Sequence, residues 1–285
     1  MLISRAEPDR IAAHPAAARS HPVERVAYAT SVPAILLMAL ASGAGLWLAD
    51  LYPDIPWAAQ ALRGGDLVTL AVGVPVLSVA LIAAARGSRR ARLVWAGMLG
   101  YAIYTYAYVV FGAQFNDLFL VHVAILSLSV WSLICVLATV DVTATAALYT
   151  TRVPARAIAL FFGAVALTLA GMWTYFSLRQ ALTGELPGGA APPSALHMVY
   201  ATDLTFFVVP LAVAAVLLWR RTPWGYALGT VMGVVGSTYL INLMSAAAFQ
   251  AHRHVAGVPA FSPLSLGLCV AFVAATLGLI RPRKR

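Results

Sequence analysis

Two aspartates, a histidine and a set of tyrosines and asparagines are the residues of this chain best placed to do chemistry. Asp66 and Asp203 each open an Asp-Leu pair that leads into an apolar run broken by one proline, Pro75 or Pro210. Each run ends in an arginine pair, Arg89-Arg90 or Arg220-Arg221, and restarts at a tryptophan with Leu-Gly four and five residues later (Trp95…Leu99-Gly100, Trp224…Leu228-Gly229). A carboxylate inside an apolar run is costly to desolvate and marks a ligand or proton site. At the start of a run it serves as a helix N-cap, accepting from free backbone N–H groups at the positive end of the dipole. Both readings stay open for Asp66. For Asp203, Pro192-Pro193-Ser194 offers an earlier helix start, which would leave the carboxyl well inside the helix and in need of a partner.

His122 follows Asp117 by five positions and would lie about 7–8 Å deeper along a helix. A neutral imidazole tolerates burial when its nitrogens find partners, and the preceding run offers Tyr101, Tyr104 and Tyr108 at i, i+3 and i+7, with Tyr106 on another face. That stripe is either the lining of a polar cavity or core packing with satisfied hydroxyls. Asn116 stands beside Asp117, and Asn242, near Ser237 and Thr238, adds polar groups at similar depth in the second half. His197, His252 and His254 have metal-donor types but lack the i, i+4 pairing of a helical zinc site. With Asp117 and Asp203 they are the candidates for a metal, and the expectation is interfacial solvation, with no metal and no cofactor. HExxH, GxSxG and Walker patterns are absent, and the one lysine, Lys284, lies outside the apolar runs, which excludes a Schiff-base chromophore there.

The elements that must position these residues are membrane helices. The chain is 61% hydrophobic and 10% charged, with mean hydropathy +0.85, against roughly a quarter charged in a soluble domain. Eight apolar runs predict spans at 33–51, 66–85, 93–113, 117–140, 157–177, 202–219, 224–247 and 261–280. Residues 1–30 read as a disordered polar tail, and 31–150 and 151–285 as two four-helix repeats. Gly45-Leu-Trp47 pairs with Gly171-Met-Trp173 in this scheme. An even offset of four spans gives both halves one orientation, hence a pseudo-two-fold along the membrane normal. Glycines at 225, 229 and 233, with Gly236 near the same face, predict close helix packing.

The net charge of +9 does not imply nucleic acid, because the arginines sit between apolar runs and at the C-terminus. With the tail and alternate connections on one side, that side carries sixteen of the nineteen Lys and Arg, leaving Arg63, Arg179 and Arg253 opposite. The positive-inside rule then puts both termini in the cytoplasm of a bacterial inner membrane. Six of ten acids and four of six histidines fall on the outer side. Cys135 and Cys269, both within apolar runs, read as inert buried thiols.

The segments Tyr104-Thr-Tyr-Ala-Tyr-Val-Val-Phe-Gly-Ala-Gln-Phe-Asn-Asp-Leu-Phe-Leu120 and Leu218-Trp-Arg-Arg-Thr-Pro-Trp-Gly-Tyr226 resemble a pattern recurrent in uncharacterised prokaryotic multi-pass membrane proteins. The resemblance implies an integral membrane protein and assigns no role to any residue. The polar residues themselves point to a small-molecule binding or transport protein with a vestibule open to the extracytoplasmic side, lined by Asp66, Tyr104, Tyr108, Asn116, Asp117, His122, Asp203 and Asn242. The alternatives are a membrane-embedded enzyme acting on lipid at the outer leaflet, through Asp and His or a metal, and a non-catalytic scaffold or sensor subunit. Expected partners are membrane lipids, a small-molecule substrate, and a second copy or another membrane protein.

Overall fold

A computed structural model describes residues 22–147, 149, 153–186 and 193–280. The described residues are helical and contain no strand. Eight helices are long and apolar enough to cross a membrane: α1 (Pro22–Trp47), α2 (Pro56–Ala85), α3 (Arg89–Gly112), α4 (Phe119–Ala138), α5 (Ala155–Thr183), α6 (Ala195–Trp219), α7 (Pro223–His252) and α8 (Pro263–Ile280). The chain is therefore a multi-pass membrane protein. In lipid every backbone polar group must be bonded within the protein, and a helix does this within one segment.

Helix ends follow local chemistry. Pro56 and Pro223 occupy the first turns of α2 and α7, where a missing N–H costs nothing. Ser88 and Thr222 cap α3 and α7 by accepting from the backbone N–H of Ala91 and Gly225. Among the described residues the chain is helical from Pro22, within the stretch expected to be tail; residues 1–21 lie outside the described residues. The polar early turns of α1 are held by side chains rather than by hydropathy. Glu24 pairs with Arg92, Ser31 accepts from Trp95 Nε1 at 2.9 Å, and Thr30 bonds Ser132 at 2.6 Å.

In the first half α1 packs on α4 and α2, and α3 on α2 and α4; in the second half α5 packs on α6, and α7 on α6 and α8. Phe161 and Phe162 of α5 meet Phe272 of α8 at 4.9 and 5.3 Å between ring centroids. The halves join where α7 lies against α2 and α3. Membrane helices gain little hydrophobic drive against one another, so close approach of small residues carries the packing. A Cβ on Gly225 would stand 2.3 Å from the Leu217 backbone, and one on Gly64 would stand 2.6 Å from Ala246 Cα. The glycine face of α7 is thus a packing surface against α6 and α8.

The prolines do more than kink. A proline ring clashes with the carbonyl four residues earlier. The helices with Pro75 and Pro210 answer by widening one turn to i→i+5 bonding just upstream, over Thr69–Gly73 in α2 and Asp203–Val208 in α6, whereas α1 carries Pro33 in a regular α-helix. Val74 N–H accordingly donates to Thr69 O, and Val209 N–H to Leu204 O.

Candidate functional site

Neither aspartate is an N-cap. Helix α2 starts at Pro56, and among the described residues the chain is helical from Pro193 into α6, so each carboxyl lies at least ten residues in, about 15 Å or more along the axis. The predicted span begins at residue 66, but the helix begins ten residues earlier, with Pro56 at its first position.

A cavity of about 150 Å³ lies in the half of the bundle that carries the connection 48–55 and the ends of α3 and α7. It gathers Asp66 from α2, Tyr104 and Tyr108 from α3, His122 from α4 and Asn242 from α7. Tyr52, Tyr106 and Tyr239, which spacing did not single out, line it too. Tyr101 turns away and bonds Thr69 at 3.0 Å, while Tyr106, expected on another face, reaches the cavity. The half-exposed Leu243 stands at its rim.

Asp66 is held deliberately. The Tyr52 hydroxyl donates to Oδ2 at 2.7 Å. Burial, and then the neighbouring Asp66 carboxylate, push the Tyr52 pKa up, so the phenol keeps its proton and acts as the donor. Gly45 of α1 provides the space: a Cβ there would meet Oδ2 at 1.9 Å. Arg63, nearly one turn before Asp66, spends its guanidinium on Leu48 O at 3.1 Å and on Ala49 O, closing the carbonyl end of α1. His122 is 2% exposed, with its ring 5.9 Å from that of Tyr106. The Asn242 carboxamide packs on Gly65, and its buried Oδ1 has no hydrogen-bond partner.

Asp203 sits behind the cavity, 1% exposed. Its Oδ1 accepts from the Tyr104 hydroxyl at 2.7 Å and its Oδ2 from Trp173 Nε1 at 2.9 Å. Tyr104 joins cavity and carboxyl, with Tyr239 edge-on to it at 5.0 Å. Asn116 and Asp117 fall outside the lining. Asn116 shapes the turn before α4, its Oδ1 accepting from Leu118 N at 3.0 Å, and Asp117 is exposed. Ser237 and Thr238 bond back to their own helix at Gly233 O and Val234 O. His197, His252 and His254 are exposed, and among the described residues no three His, Cys, Asp or Glu stand close enough together to hold a metal.

Comparisons of the chain with protein-family models, with curated proteins and with solved structures find no match. The geometry therefore carries the functional reading alone.

Proposed function

We propose that this multi-pass membrane protein binds a small molecule in the cavity between α2, α3, α4 and α7 and moves it across the membrane. One observation carries the reading: a single cavity collects a carboxylate, an imidazole, a carboxamide and several phenols from four helices and a connection. Ligand sites are concave and mostly apolar, with a few convergent polar groups. A volume near 150 Å³ suits a molecule of about benzene size, too small for a phospholipid, which favours binding over lipid hydrolysis.

The distribution of Lys and Arg supports a bacterial inner-membrane setting with both termini cytoplasmic, so that the cavity faces outward. A duplicated four-helix plan is supported by the shared order in α2 and α6 of an in-helix aspartate, a widened turn, a proline and an arginine turn.

Thiol labelling tests the reading without a known ligand. In a Cys135→Ala, Cys269→Ala background, Ala61→Cys places a thiol in the lining and Arg89→Cys places one at the opposite end. A membrane-impermeant methanethiosulfonate should modify the first from outside intact spheroplasts and the second only in inverted vesicles. Modification of Ala61→Cys from the inner face alone, or from neither face, overturns the outward cavity.

A further inference from the structure

We infer that the ligand of this cavity is a small organic cation, an ammonium group of about choline size or smaller held by aromatic rings and one carboxylate. The inference rests on the binding reading above and names its chemistry.

The first observation is aromatic density. Tyr52, Trp57, Tyr104, Tyr106, Tyr108 and Tyr239 are six of the eighteen lining residues, although aromatic residues make up 10% of the chain. Five of its eleven tyrosines meet here, drawn from two helices and a connection. Electron-rich rings around a desolvated space attract a cation through their quadrupoles, most strongly where water is excluded. Core packing alone does not call for phenols, since each buried hydroxyl needs a partner that Phe or Leu would not.

The second observation is the sign of the charge. Among the described residues no lysine or arginine lines the cavity; the lining carboxylate is Asp66. Arg63, the nearest guanidinium in sequence, is committed to the carbonyls that end α1. A carboxylate within a bilayer is costly, and a cationic ligand supplies at contact the counter-charge that Arg63 supplies only from outside the lining.

The third observation is that the carboxylate is built in rather than tolerated. Gly45 leaves room for it, and Tyr52 donates to one of its oxygens. The Asn242 Oδ1, an acceptor in want of a donor, adds to the preference for a ligand that brings positive charge or N–H groups.

The test is calorimetric titration of the full chain in nanodiscs with choline and with 3,3-dimethylbutan-1-ol, its neutral isostere. Choline should bind at least about tenfold more tightly than the alcohol. Asp66→Asn should shrink that difference to the part the rings supply, about threefold or less, and Glu185→Gln, which removes an exposed acid elsewhere, should leave it intact. Tyr106→Leu should weaken choline by about tenfold, while Tyr106→Phe, which keeps the ring, should change it by less than about threefold. The Tyr106 pair decides the matter if Asp66→Asn does not yield a monodisperse protein. Equal or tighter binding of the alcohol overturns the cation assignment and leaves a neutral-ligand cavity standing. Binding of neither probe also overturns it. The wider reading is then settled by thiol labelling at Ala61→Cys, which needs no ligand.

Discussion

The two aspartates differ more in their surroundings than in their positions. Both lie at least ten residues into a proline-broken helix, Asp66 three residues before a widened turn and Asp203 at the first position of one, and each is reached by a Gly-x-Trp segment on the helix before it. In the first half the glycine does the work: Gly45 admits the Asp66 carboxyl, while Trp47 is 77% exposed. In the second half the tryptophan does it: Trp173 bonds Asp203, while a Cβ on Gly171 would meet nothing within 4 Å. Asp66, with one phenol donor, is left facing a cavity; Asp203, with a donor on each oxygen, is closed in. One residue pattern thus yields an acid available to a ligand and an acid committed to holding α3, α5 and α6 together.

Removing each carboxyl should separate these roles most sharply. Asp203→Ala strands the Tyr104 hydroxyl and the Trp173 N–H in a buried site and should cost about 3 kcal/mol or more. Asp66→Ala strands one phenol beside a cavity and should cost nearer 1 kcal/mol. Thermal melting of the two purified variants in detergent checks this, and equal losses would erase the distinction. The glycines come next. Gly45→Val should destabilise by about 2 kcal/mol because its side chain must displace the Asp66 carboxyl, whereas Gly171→Val should stay within about 0.5 kcal/mol of the parent. Trp173→Phe should cost about 1.5 kcal/mol through the lost bond to a buried acid, and Trp47→Phe close to nothing; the same melts report both.

The smallest effect concerns Asp54, in the connection beside the cavity. Its Oδ1 accepts from Gln114 N at 3.0 Å, but its buried Oδ2 has no partner. Burial therefore raises its pKa, against the lowering by the Gln114 bond. A raised acid holds its proton in the folded chain to higher pH than in the unfolded chain. Its favourable contribution is complete below the ordinary Asp range and is lost as pH rises through the raised value. Asp54→Asn should keep the Gln114 bond and flatten that decline, read as a melting temperature less dependent on pH above the ordinary Asp range.

Much of the fold was legible because bilayer thickness imposes a length that apolar runs report directly. The start of α1 was not, because Glu24, Thr30 and Ser31 are polar residues whose helical state depends on Arg92, Ser132 and Trp95, distant in sequence. Residue type and depth pointed to Asp66, Tyr104, Tyr108, His122 and Asn242, which the structure brings to one cavity. Tyr52 was hidden in a connection, and Tyr106 by the assumption that a cavity takes one face of a helix. Asn116 and Asp117 share the chemistry of the lining residues, but the turn before α4 puts them elsewhere. The prolines announced a distortion without saying that a whole turn would be respaced.

That respacing sets the azimuth of Asp66. A turn bonded i→i+5 takes up one residue more than an α-turn, so the helix above Thr69 is indexed against the helix below Gly73 as though the chain were one residue shorter. One residue is roughly 100° of rotation about the helix axis. In an uninterrupted helix with the same lower half, the Asp66 carboxyl would point about a quarter-turn away from Gly45 and Tyr52. The widened turn is therefore a phase correction, and the direction in which the acid faces is written three residues downstream of it.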